Sequence, residues 1–433
     1  MTLHDVSLDD KFDLSKERIF LSGSQAVIRM LLMQRERDRL AGLNTAGFVS
    51  GYRGSPLGGL DVQLWKAKRQ LAESSIVFQP GINEELAATA CWGSQQTELL
   101  GEGKHDGVFS VWYGKGPGVD RSGDVFRHAN LAGSSRHGGV LALMGDDHTA
   151  ESSTNAHATE FLFVDTMIPI LNPAGVQELI DYGLYGFAMS RFAGTWTAIK
   201  CVKDNIESTA SVDVSLERLG IVLPEFDMPP GGLNIRHELD QMGQEARLHE
   251  YKRAAASAFI RANGLNKIIY SGGERPKIGI ITVGKSYLDV RQSLDDLGID
   301  EARAAQIGLR LFKVAAPWPL DFEHIKDFAR GLETIIVVEE KRSLIEVQMR
   351  ENLYGTAMPP LIVGKKDERG DWLFPAKGAL DPNDIAIAIG ERVLKVVGHS
   401  EEIAARVAQL RQYQAMLADT KDVASRTPYF CSG

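Results

Sequence analysis

The pattern of hydrophobic and polar positions changes repeatedly between helical and strand periodicity from about residue 20 to residue 205. Apolar residues that recur every three or four positions predict helices, and the short apolar runs between them predict buried strands. The predicted helices are 22–42, 60–73, 83–100, 120–131 and 173–191, and the predicted strands are 48–50, 76–78, 108–113, 139–144, 167–171 and 195–202. This alternation predicts a mostly parallel sheet with helices on both faces.

A second series of the same kind covers residues 276–398. Its predicted strands are 277–283, 309–314, 334–339 and 360–363, and its predicted helices are 287–297, 321–330, 344–353 and 381–397. Between the two series, residues 206–275 contain proline and glycine pairs and a long charged helix over 236–262, whose charges we expect to face solvent. The pattern therefore predicts an α/β protein with two doubly wound, mostly parallel-sheet domains over 20–205 and 276–398, a connector over 206–275 and a tail over 399–433.

Composition and charge exclude several classes of protein. Of the 433 residues, 44% are hydrophobic and 24% are charged, as is typical of a folded globular chain. The formal net charge of −9 argues against a general nucleic-acid-binding protein. The polar N-terminus predicts no signal peptide, and the longest apolar runs are shorter than the roughly 18 residues of a membrane helix. Three cysteines are too few for a disulfide framework, so we expect a cytoplasmic protein.

Residues 279–286 match the G-x-x-x-x-G-K-[ST] pattern of a phosphate-binding loop. That loop has to follow a strand, whereas the four residues between the glycines here are β-branched and continue the predicted strand 277–283. A nucleotide-binding function is therefore the less favoured interpretation.

Four loops at predicted strand ends contain unusual chemistry, and ligands bind at such strand ends in open α/β sheets. The loops are 51–59, 79–85, 113–118 and 145–148. Their glycines and prolines let the backbone approach a ligand closely. Asn83 is a plausible N-cap, with Glu84 and Glu85 in the first turn of the next helix. Acids at a helix start also complement the helix dipole without any catalytic role, and this pattern taken alone favours that simpler interpretation over a catalytic one.

The successive motifs resemble the thiamine-diphosphate-dependent 2-oxoacid:ferredoxin oxidoreductases, most of all the large indolepyruvate ferredoxin oxidoreductases. The resemblance extends over most of residues 20–433 and rests on several motifs together. These motifs are Gly-Tyr-Arg-Gly-Ser-Pro at 51–56, Asn-Glu-Glu-Leu-Ala at 83–87, Trp-Tyr-Gly-Lys-Gly-Pro-Gly at 112–118, Gly-Asp-Asp-His at 145–148 and Thr-Pro-Tyr-Phe-Cys-Ser-Gly at 427–433. The resemblance implies that the first domain binds the aminopyrimidine of the cofactor and that the second is a transketolase C-terminal-like domain.

The resemblance also implies a role for Glu84. Its carboxylate would hydrogen-bond a ring nitrogen of the aminopyrimidine and favour the imino tautomer, which removes the proton from the thiazolium carbon and gives the ylid that attacks the keto group. Glu85 would take this role if the alignment were shifted by one position.

Further site residues are implied in the same way. Ser55, beside Pro56, resembles a hydroxyl position that faces the substrate carboxylate, and Arg53 lies next to it. The resemblance places Lys115, Gly116 and Gly118 in a loop against the pyrimidine.

Three more polar residues, His128, Asp147 and His148, could line the mouth of the cleft. A structural hydrogen-bonding role is the simpler interpretation of each histidine. Cys91 and Cys201 have no metal-ligating neighbours in sequence and are interpreted as small buried apolar residues.

The end of the sequence suggests what lies beyond it. Cys431 corresponds to the first cysteine of a C-x-x-C that, in the family, holds a 4Fe-4S cluster, so it is a candidate cluster ligand. The Gly-Asp-Gly motif that binds Mg²⁺ and the diphosphate does not occur in residues 1–433. We therefore expect the chain to be the N-terminal portion of a longer enzyme or assembly, inactive alone, with the diphosphate and iron-sulfur domain supplied by another domain or subunit.

The implied reaction is oxidative decarboxylation of a 2-oxoacid, such as indolepyruvate or another arylpyruvate, by an oligomer. Coenzyme A would accept the acyl group, and electrons would pass through iron-sulfur clusters to ferredoxin. The alternative is a non-catalytic binding or assembly subunit that kept the fold and lost the site.

Overall fold

The computed structural model describes residues 6–153, 155–237 and 240–419. This part of the chain divides into two compact units. The first unit holds the residues up to 147 together with 157–263, and the second holds 148–156 and the residues from 264 onward.

The first unit is built on a six-stranded sheet in which all neighbouring strands are parallel. Its elements are β1 (Arg18–Ser22), α1 (Gly23–Leu40), β2 (Thr45–Gly51), α2 (Gly58–Lys66), α3 (Lys68–Glu73), β3 (Ile76–Phe78), α4 (Glu84–Ser94), β4 (Gly107–Lys115), α5 (Gly116–Arg121), α6 (Gly123–Ala132), β5 (Val140–Gly145), α7 (Glu160–Asp165), β6 (Ile170–Leu171), α8 (Val176–Ala193), β7 (Trp196–Cys201), α9 (Lys203–Ile206), β8 (Thr209–Asp213), α10 (Gln241–Arg247), a π-helical turn (Leu248–Lys252) and α11 (Arg253–Ala262). The strand order is β3-β2-β4-β5-β7-β6, and β1 pairs with β8 in a separate antiparallel ribbon.

The second unit has a five-stranded sheet of order β13-β12-β10-β11-β9, in which only β9 is antiparallel. Its elements are β9 (Lys267–Tyr270), β10 (Ile278–Val283), α12 (Gly284–Asp296), α13 (Glu301–Ile307), β11 (Leu309–Val314), α14 (Phe322–Ala329), β12 (Thr334–Val338), α15 (Ile345–Leu353), β13 (Leu361–Val363), α16 (Pro382–Val397) and α17 (Glu401–Asp419). Within the described ranges, no helix combines the length and the apolar character needed to cross a bilayer.

Burial on both faces explains why the central strands are almost continuously apolar. Every residue of β5, β7, β10 and β12 is buried, as expected for parallel strands covered by helices on both sides. In the second unit, two apolar clusters fill the opposite faces of the sheet, one around Ile280 and Leu311 and the other around Ile281 and Phe312. The predicted doubly wound α/β class is confirmed for both units.

Several predicted helices are shorter than their hydrophobic pattern suggested. The helix predicted over 83–100 ends at Ser94. The helix predicted over 60–73 is divided at Ala67 into α2 and α3. The helix predicted over 120–131 is two helices, and the first begins at Gly116, inside the segment that was predicted to be a glycine-rich loop. Polar residues continue a helical period beyond the point where the backbone turns, so periodicity alone misplaces these ends.

The bounds predicted for the charged helix over 236–262 are wrong, and the helix is not solvated on every side. The helix begins at Gln241 and is interrupted by the π-helical turn. Its face containing Phe259 and Ile260 is fully buried, because α11 packs against α8 in the first unit. The charged residues of this segment lie beside an apolar stripe that contacts the core of the first unit.

The interpretation of residues 279–286 as strand rather than phosphate loop is confirmed. The four residues between the two glycines lie within β10, and α12 begins directly at Gly284. The Nζ atom of Lys285 donates to the carbonyl of Leu380 at 2.8 Å and lies 2.8 Å from the Asp289 carboxylate. The lysine therefore holds the helix and a neighbouring loop in place.

Lys252, in the π-helical turn, is buried at 2% exposure. Its Nζ donates to the carbonyls of Asn130 and Leu131 at 3.1 and 3.2 Å, in the last turn of α6. Burial, with Arg236 and Arg247 nearby, lowers the pKa of Lys252 to about 7. A lysine at this position satisfies carbonyls that the helix end leaves unpaired.

The substitution Lys252→Met should change how stability depends on pH. Between pH 7 and 10 the unfolded wild-type chain binds more protons than the folded chain, because the pKa of Lys252 is lowered only on folding. Wild-type stability should therefore rise relative to the variant as pH increases through this window. Urea unfolding at several pH values measures the difference, with the exposed Lys104→Met as a control that leaves the pH dependence unchanged. Parallel pH profiles for wild type and Lys252→Met would contradict the burial of a titrating lysine.

Candidate functional site

The carboxyl ends of β2 and β4 form the topological switch point of the first unit. β3, which follows β2 in sequence, lies on one side of β2, whereas β4 and β5 lie on the other side of β2. Adjacent loops diverge at such a point and leave a crevice where ligands bind in open α/β sheets. All four loops that were identified from the sequence follow strands whose carboxyl ends lie at this edge of the sheet.

Main-chain contacts hold three of these loops together. The N–H of Tyr52 donates to the carbonyl of Tyr113 at 3.0 Å, and the N–H of Gly81 donates to the carbonyl of Gly51 at 2.9 Å. At Gly51 a Cβ would lie 2.2 Å from the Tyr113 carbonyl oxygen and 2.4 Å from its ring. Only glycine therefore allows β2 and β4 to end this close together.

The loop 51–59 also reaches the ends of β4 and β5. A Cβ on Gly54 would lie 2.9 Å from Cβ of Lys115, and a Cβ on Gly145 would lie 3.2 Å from Cδ of Pro56. The peptide bond between Ser55 and Pro56 is cis. The structure thus brings Ser55, Pro56 and Lys115 to the same edge of the sheet, while the side chain of Arg53 is exposed to solvent.

The first turn of α4 fixes Glu84 in this crevice. Asn83 is the N-cap, and its Oδ1 accepts from the N–H of Leu86 at 2.9 Å. The indole Nε1 of Trp112, on β4, donates to the carbonyl of Glu84 at 2.9 Å. The helix start is therefore fastened both by its own cap and by the neighbouring strand.

Two glycines form the wall beside the Glu84 side chain. A Cβ on Gly118 would lie 2.3 Å from Cγ and 2.5 Å from Oε1 of Glu84, and a Cβ on Gly114 would lie 3.3 Å from the same Cγ. Glu84 is half-buried there, whereas Glu85 is exposed and lies 3.8 Å from Arg121. The structure thus gives adjacent carboxylates different surroundings, with Glu84 against glycines and Glu85 exposed to solvent.

His128 lies away from this crevice. Its ring stacks on Trp92 with centroids 6.3 Å apart, and its Nε2 lies 3.6 Å from the Asp124 carboxylate. Trp92 is eight residues after Glu84 on α4, roughly 12 Å along the helix axis. The prediction that His128 lines the mouth of the same cleft is not supported by this position.

The neighbouring residues Asp147 and His148 make different backbone contacts. Asp147 belongs to the first unit, where its carbonyl accepts from the N–H of His157 at 3.3 Å. His148 is assigned to the second unit, where its carbonyl accepts a hydrogen bond from the ammonium of Lys341. Cys431 lies outside the described residues, and Cys91 and Cys201 are buried, as predicted, with thiol pKa values raised by burial.

His157 is a residue at this edge that the sequence did not single out. A Cβ on Gly116 would lie 2.4 Å from its imidazole ring, and its Nε2 lies 3.8 Å from the Asp120 carboxylate. The ring therefore forms part of the surroundings of the Lys115–Gly118 segment. Nothing in the local sequence distinguishes this histidine from others in polar loops, because the contact depends on the path of a long loop.

A buried polar cluster behind the crevice was also missed. Asp146 accepts from the N–H and the hydroxyl of Thr159 at 3.1 and 3.0 Å and lies 3.3 Å from Nζ of Lys200, which also contacts Glu160. Burial raises the pKa of Asp146, and Lys200 acts in the opposite direction. The cluster fastens the returning end of the loop that carries His157. The available signal was a lysine within the otherwise apolar strand β7.

The corresponding edge of the second unit is occupied by its own side chains. The Glu339 carboxylate accepts from the N–H groups of Leu344 and Ile345 at 3.0 and 2.8 Å, and the Glu340 carboxylate accepts from Leu380 at 3.1 Å. These bonds complete the start of α15 and the loop before α16. Among the described residues, no group of three or more His, Cys, Asp and Glu side chains is arranged to hold a metal ion.

Sequence comparison finds relatives with a named activity. Residues 268–417 match the family profile "Indolepyruvate oxidoreductase domain". The chain is 25% identical over 349 residues to the indolepyruvate oxidoreductase subunit IorA of Pyrococcus horikoshii, which covers 78% of this chain and 48% of the relative. It is 24% identical over 353 residues to the IorA subunit of Methanothermobacter marburgensis, which covers 79% and 50%. The chain thus spans about half the length of these relatives.

Solved structures share the fold at low sequence identity. The 2-oxoglutarate:ferredoxin oxidoreductase from Magnetococcus marinus, solved with 2-oxoglutarate, coenzyme A and succinyl-CoA bound, has a TM-score of 0.60 at 15% identity, over 87% of this chain and 66% of that chain. A split-gene transketolase, described as an inactive β4 tetramer, has a TM-score of 0.51 at 14% identity, over 87% and 99%. The likeness to both structures is a likeness of α/β fold.

The substitution Gly51→Ala should destabilise the first unit. The new methyl group would collide with the backbone carbonyl of Tyr113, and no side-chain rotation can relieve that contact. We expect a loss of about 1–3 kcal/mol or more in the free energy of unfolding. Gly58→Ala is the matched control, because a Cβ at this position of the same loop meets nothing within 4 Å. Urea unfolding of the two variants tests the contact, and equal stability would contradict it.

Proposed function

We propose that this chain, which belongs to the 2-oxoacid:ferredoxin oxidoreductase family, supplies the aminopyrimidine half of a thiamine diphosphate site. The first unit would be the pyrimidine-binding domain, and the second would be the transketolase C-terminal-like domain. The observation that supports this assignment best is the Glu84 carboxylate in a crevice whose wall is made of glycine.

The residues at the crevice fit an aminopyrimidine. Such a ring presents nitrogen atoms to a carboxylate and a flat face to a surface without side chains. Glu84 provides the carboxylate, and Gly114 and Gly118 provide the bare surface next to it. A hydrogen bond to an ionised carboxylate is about twice as strong as a neutral one, and partial burial strengthens it further.

Bound thiamine diphosphate supplies a carbon nucleophile that labilises the bond between the carboxylate and the keto carbon of a 2-oxoacid. The contribution of this chain is to hold a proton between Glu84 and a ring nitrogen. The absence of a side chain at Gly118 leaves room for the Glu84 side chain, and the bond from Trp112 to the Glu84 carbonyl holds the start of α4 beside β4. Positioned proton transfer of this kind contributes roughly 10²–10⁴-fold to a reaction rate.

The substrate would approach the loop 51–59. Ser55 offers a hydroxyl, and the exposed guanidinium of Arg53 and the ammonium of Lys115 offer positive charge to the substrate carboxylate. His157, beside Gly116, extends this polar lining. The names of the relatives support indolepyruvate or another arylpyruvate as the 2-oxoacid.

The remaining parts of the reaction would require residues outside the described chain. Mg²⁺, the diphosphate group and the 4Fe-4S clusters would be held by a further domain or subunit, with Cys431 as one candidate cluster ligand. The likeness to a structure solved with coenzyme A supports this thiol as the acyl acceptor. Ferredoxin would accept the electrons in the cytoplasm, and the assembly would be an oligomer.

The substitution Glu84→Gln tests the role of the carboxylate. In the chain purified together with the domain or subunit that binds the diphosphate, we expect the exchange of the thiazolium C2 proton of added thiamine diphosphate for deuterium to slow by about 100-fold or more. Glu85→Gln, one residue further on, should leave the rate unchanged. Exchange at the wild-type rate in Glu84→Gln would overturn the assignment, and slow exchange only in Glu85→Gln would transfer the role to that residue.

A second variant tests whether the position of the Glu84 carboxylate matters when its chemical group is kept. Gly118→Ala leaves the carboxylate intact but places a methyl group where the Glu84 side chain lies. Since the glutamate can rotate away, we expect the fold to remain stable and the exchange rate to fall as in Glu84→Gln. Tight cofactor binding without any exchange in the wild-type assembly would instead favour a non-catalytic binding subunit.

A further inference from the structure

A second cavity lies at the amino edge of the six-stranded sheet, opposite the Glu84 crevice. Its volume is about 810 Å³, within the range of roughly 300–1,000 Å³ that is typical of small-molecule sites. Its walls are the C-terminal ends of α1 and α8, the loop before β5, and the segment 221–234. β4 separates the two edges by nine residues, which corresponds to roughly 26 Å.

Specific hydrogen bonds hold the segment that closes this cavity. Asn263, at the end of α11, donates to the carbonyl of Val222 and accepts from its N–H, both at 2.8 Å. At the other end of the segment, Nδ2 of Asn234 donates to the carbonyl of Arg191 at 2.8 Å, and Ile235 donates to Ser134 at 3.0 Å. Both ends of the segment that forms this wall of the cavity are therefore held by hydrogen bonds to the rest of the first unit.

The interior of the cavity is mainly apolar. Leu184, Ala188 and Phe192 come from α8, and Leu223 and Met228 come from the closing segment. Leu223 and Met228 are 64% and 38% exposed. An apolar ligand would cover this surface and gain roughly 25 cal/mol per Å² that it removes from water.

Asp38 is the acidic residue that lines the cavity, and its negative charge is balanced by its neighbours. The Asp38 carboxylate accepts two bonds from Arg191, at 2.7 and 2.8 Å. It also accepts from Nε2 of Gln34 at 2.9 Å and from the hydroxyl of Thr45 at 2.7 Å. These four bonds occupy both of its oxygens, so this carboxylate contributes little repulsion to an incoming anion.

Arg37 adds positive charge without a carboxylate in contact. Its guanidinium donates to the carbonyls of Leu216 and Leu219 at 2.6 and 3.0 Å, and it has no ion pair among the residues that the structure describes. The C-terminal ends of α1 and α8 bring partial negative charge to this edge, and the arginines there oppose it.

Arg136 and His137 present the polar groups that remain for a ligand. Within the described part of the chain, neither side chain makes a hydrogen bond or an ion pair with another residue. Burial, followed by the charges of Arg136 and Arg191, lowers the pKa of His137. Asp106, which acts on the pKa of His137 in the opposite direction, accepts from the N–H of Asn44 at 2.7 Å.

We propose that this cavity binds a small organic anion with an apolar body, whose carboxylate or phosphate is held by Arg136 and His137. Arg136 offers the paired donors that match either anion. The apolar body rests on α8 and the closing segment. Nothing in this site depends on thiamine binding at the opposite edge.

Fluorescence titration with 1-anilinonaphthalene-8-sulfonate tests the site on the full 433-residue chain. The neutral analogue N-phenyl-1-naphthylamine serves as the uncharged probe. We expect the Kd of the sulfonate to rise at least tenfold in the double variant Arg136→Gln, His137→Gln, because both groups that hold the anion are removed. The neutral probe should be unaffected, and the exposed Arg69→Gln should leave both affinities unchanged.

The second part of the experiment uses a variant that fills the cavity. Ala188→Trp should abolish binding of both probes, with the fold checked by circular dichroism. If this variant does not fold, the double variant decides alone, since the side chain of Arg136 is exposed. Unchanged sulfonate affinity in the double variant overturns the proposal, whatever the neutral probe does.

Competition identifies the anion. Displacement of the sulfonate by 2-naphthoate in preference to 2-naphthyl phosphate indicates a carboxylate ligand, and the reverse indicates a phosphate ligand. Displacement by neither compound overturns the proposal. Glu84→Gln should bind every probe as wild type does, so the result is independent of the thiamine site.

Discussion

The approach of Gly51 to the backbone of Tyr113 is the contact on which the crevice depends. It joins the ends of β2 and β4 at the point where the connections of the sheet diverge. Because the two strands end together, the loops that follow them converge, and the start of α4 is held against β4 by Trp112. The position of the Glu84 side chain follows from this arrangement and from the absence of a side chain at Gly118.

The helix ends at the two edges of the same sheet carry different side chains. Helices that follow parallel strands begin at the carboxyl edge and end near the amino edge, so their dipoles favour acids at one edge and bases at the other. Glu84 and Glu85 lie in the first turn of α4, and Arg37 and Arg191 lie in the last turns of α1 and α8. Residues that stabilise helix ends are thereby also placed where they can bind ligands.

The parts of the fold that depend on local pattern could be predicted from the sequence. The buried strands, the N-cap at Asn83 and the strand nature of residues 279–286 all follow from short-range preferences. The buried face of α11 could not be predicted, because its apolar residues are mostly alanines and its burial depends on packing against α8. The contact of His157 with Gly116 depends on the path of a loop, which no periodicity describes.

The sequence by itself determined the doubly wound class, the four loops with unusual chemistry and the two candidate carboxylates, because periodicity, glycine and capping residues act over a few neighbours. Only the tertiary structure distinguished Glu84 from Glu85, placed His128 beside Trp92 and joined Asp146 to Lys200. The physical reason is that the surroundings of a side chain are set by residues distant in sequence. Whether a carboxylate faces solvent or a glycine wall is decided when the strands and helices pack.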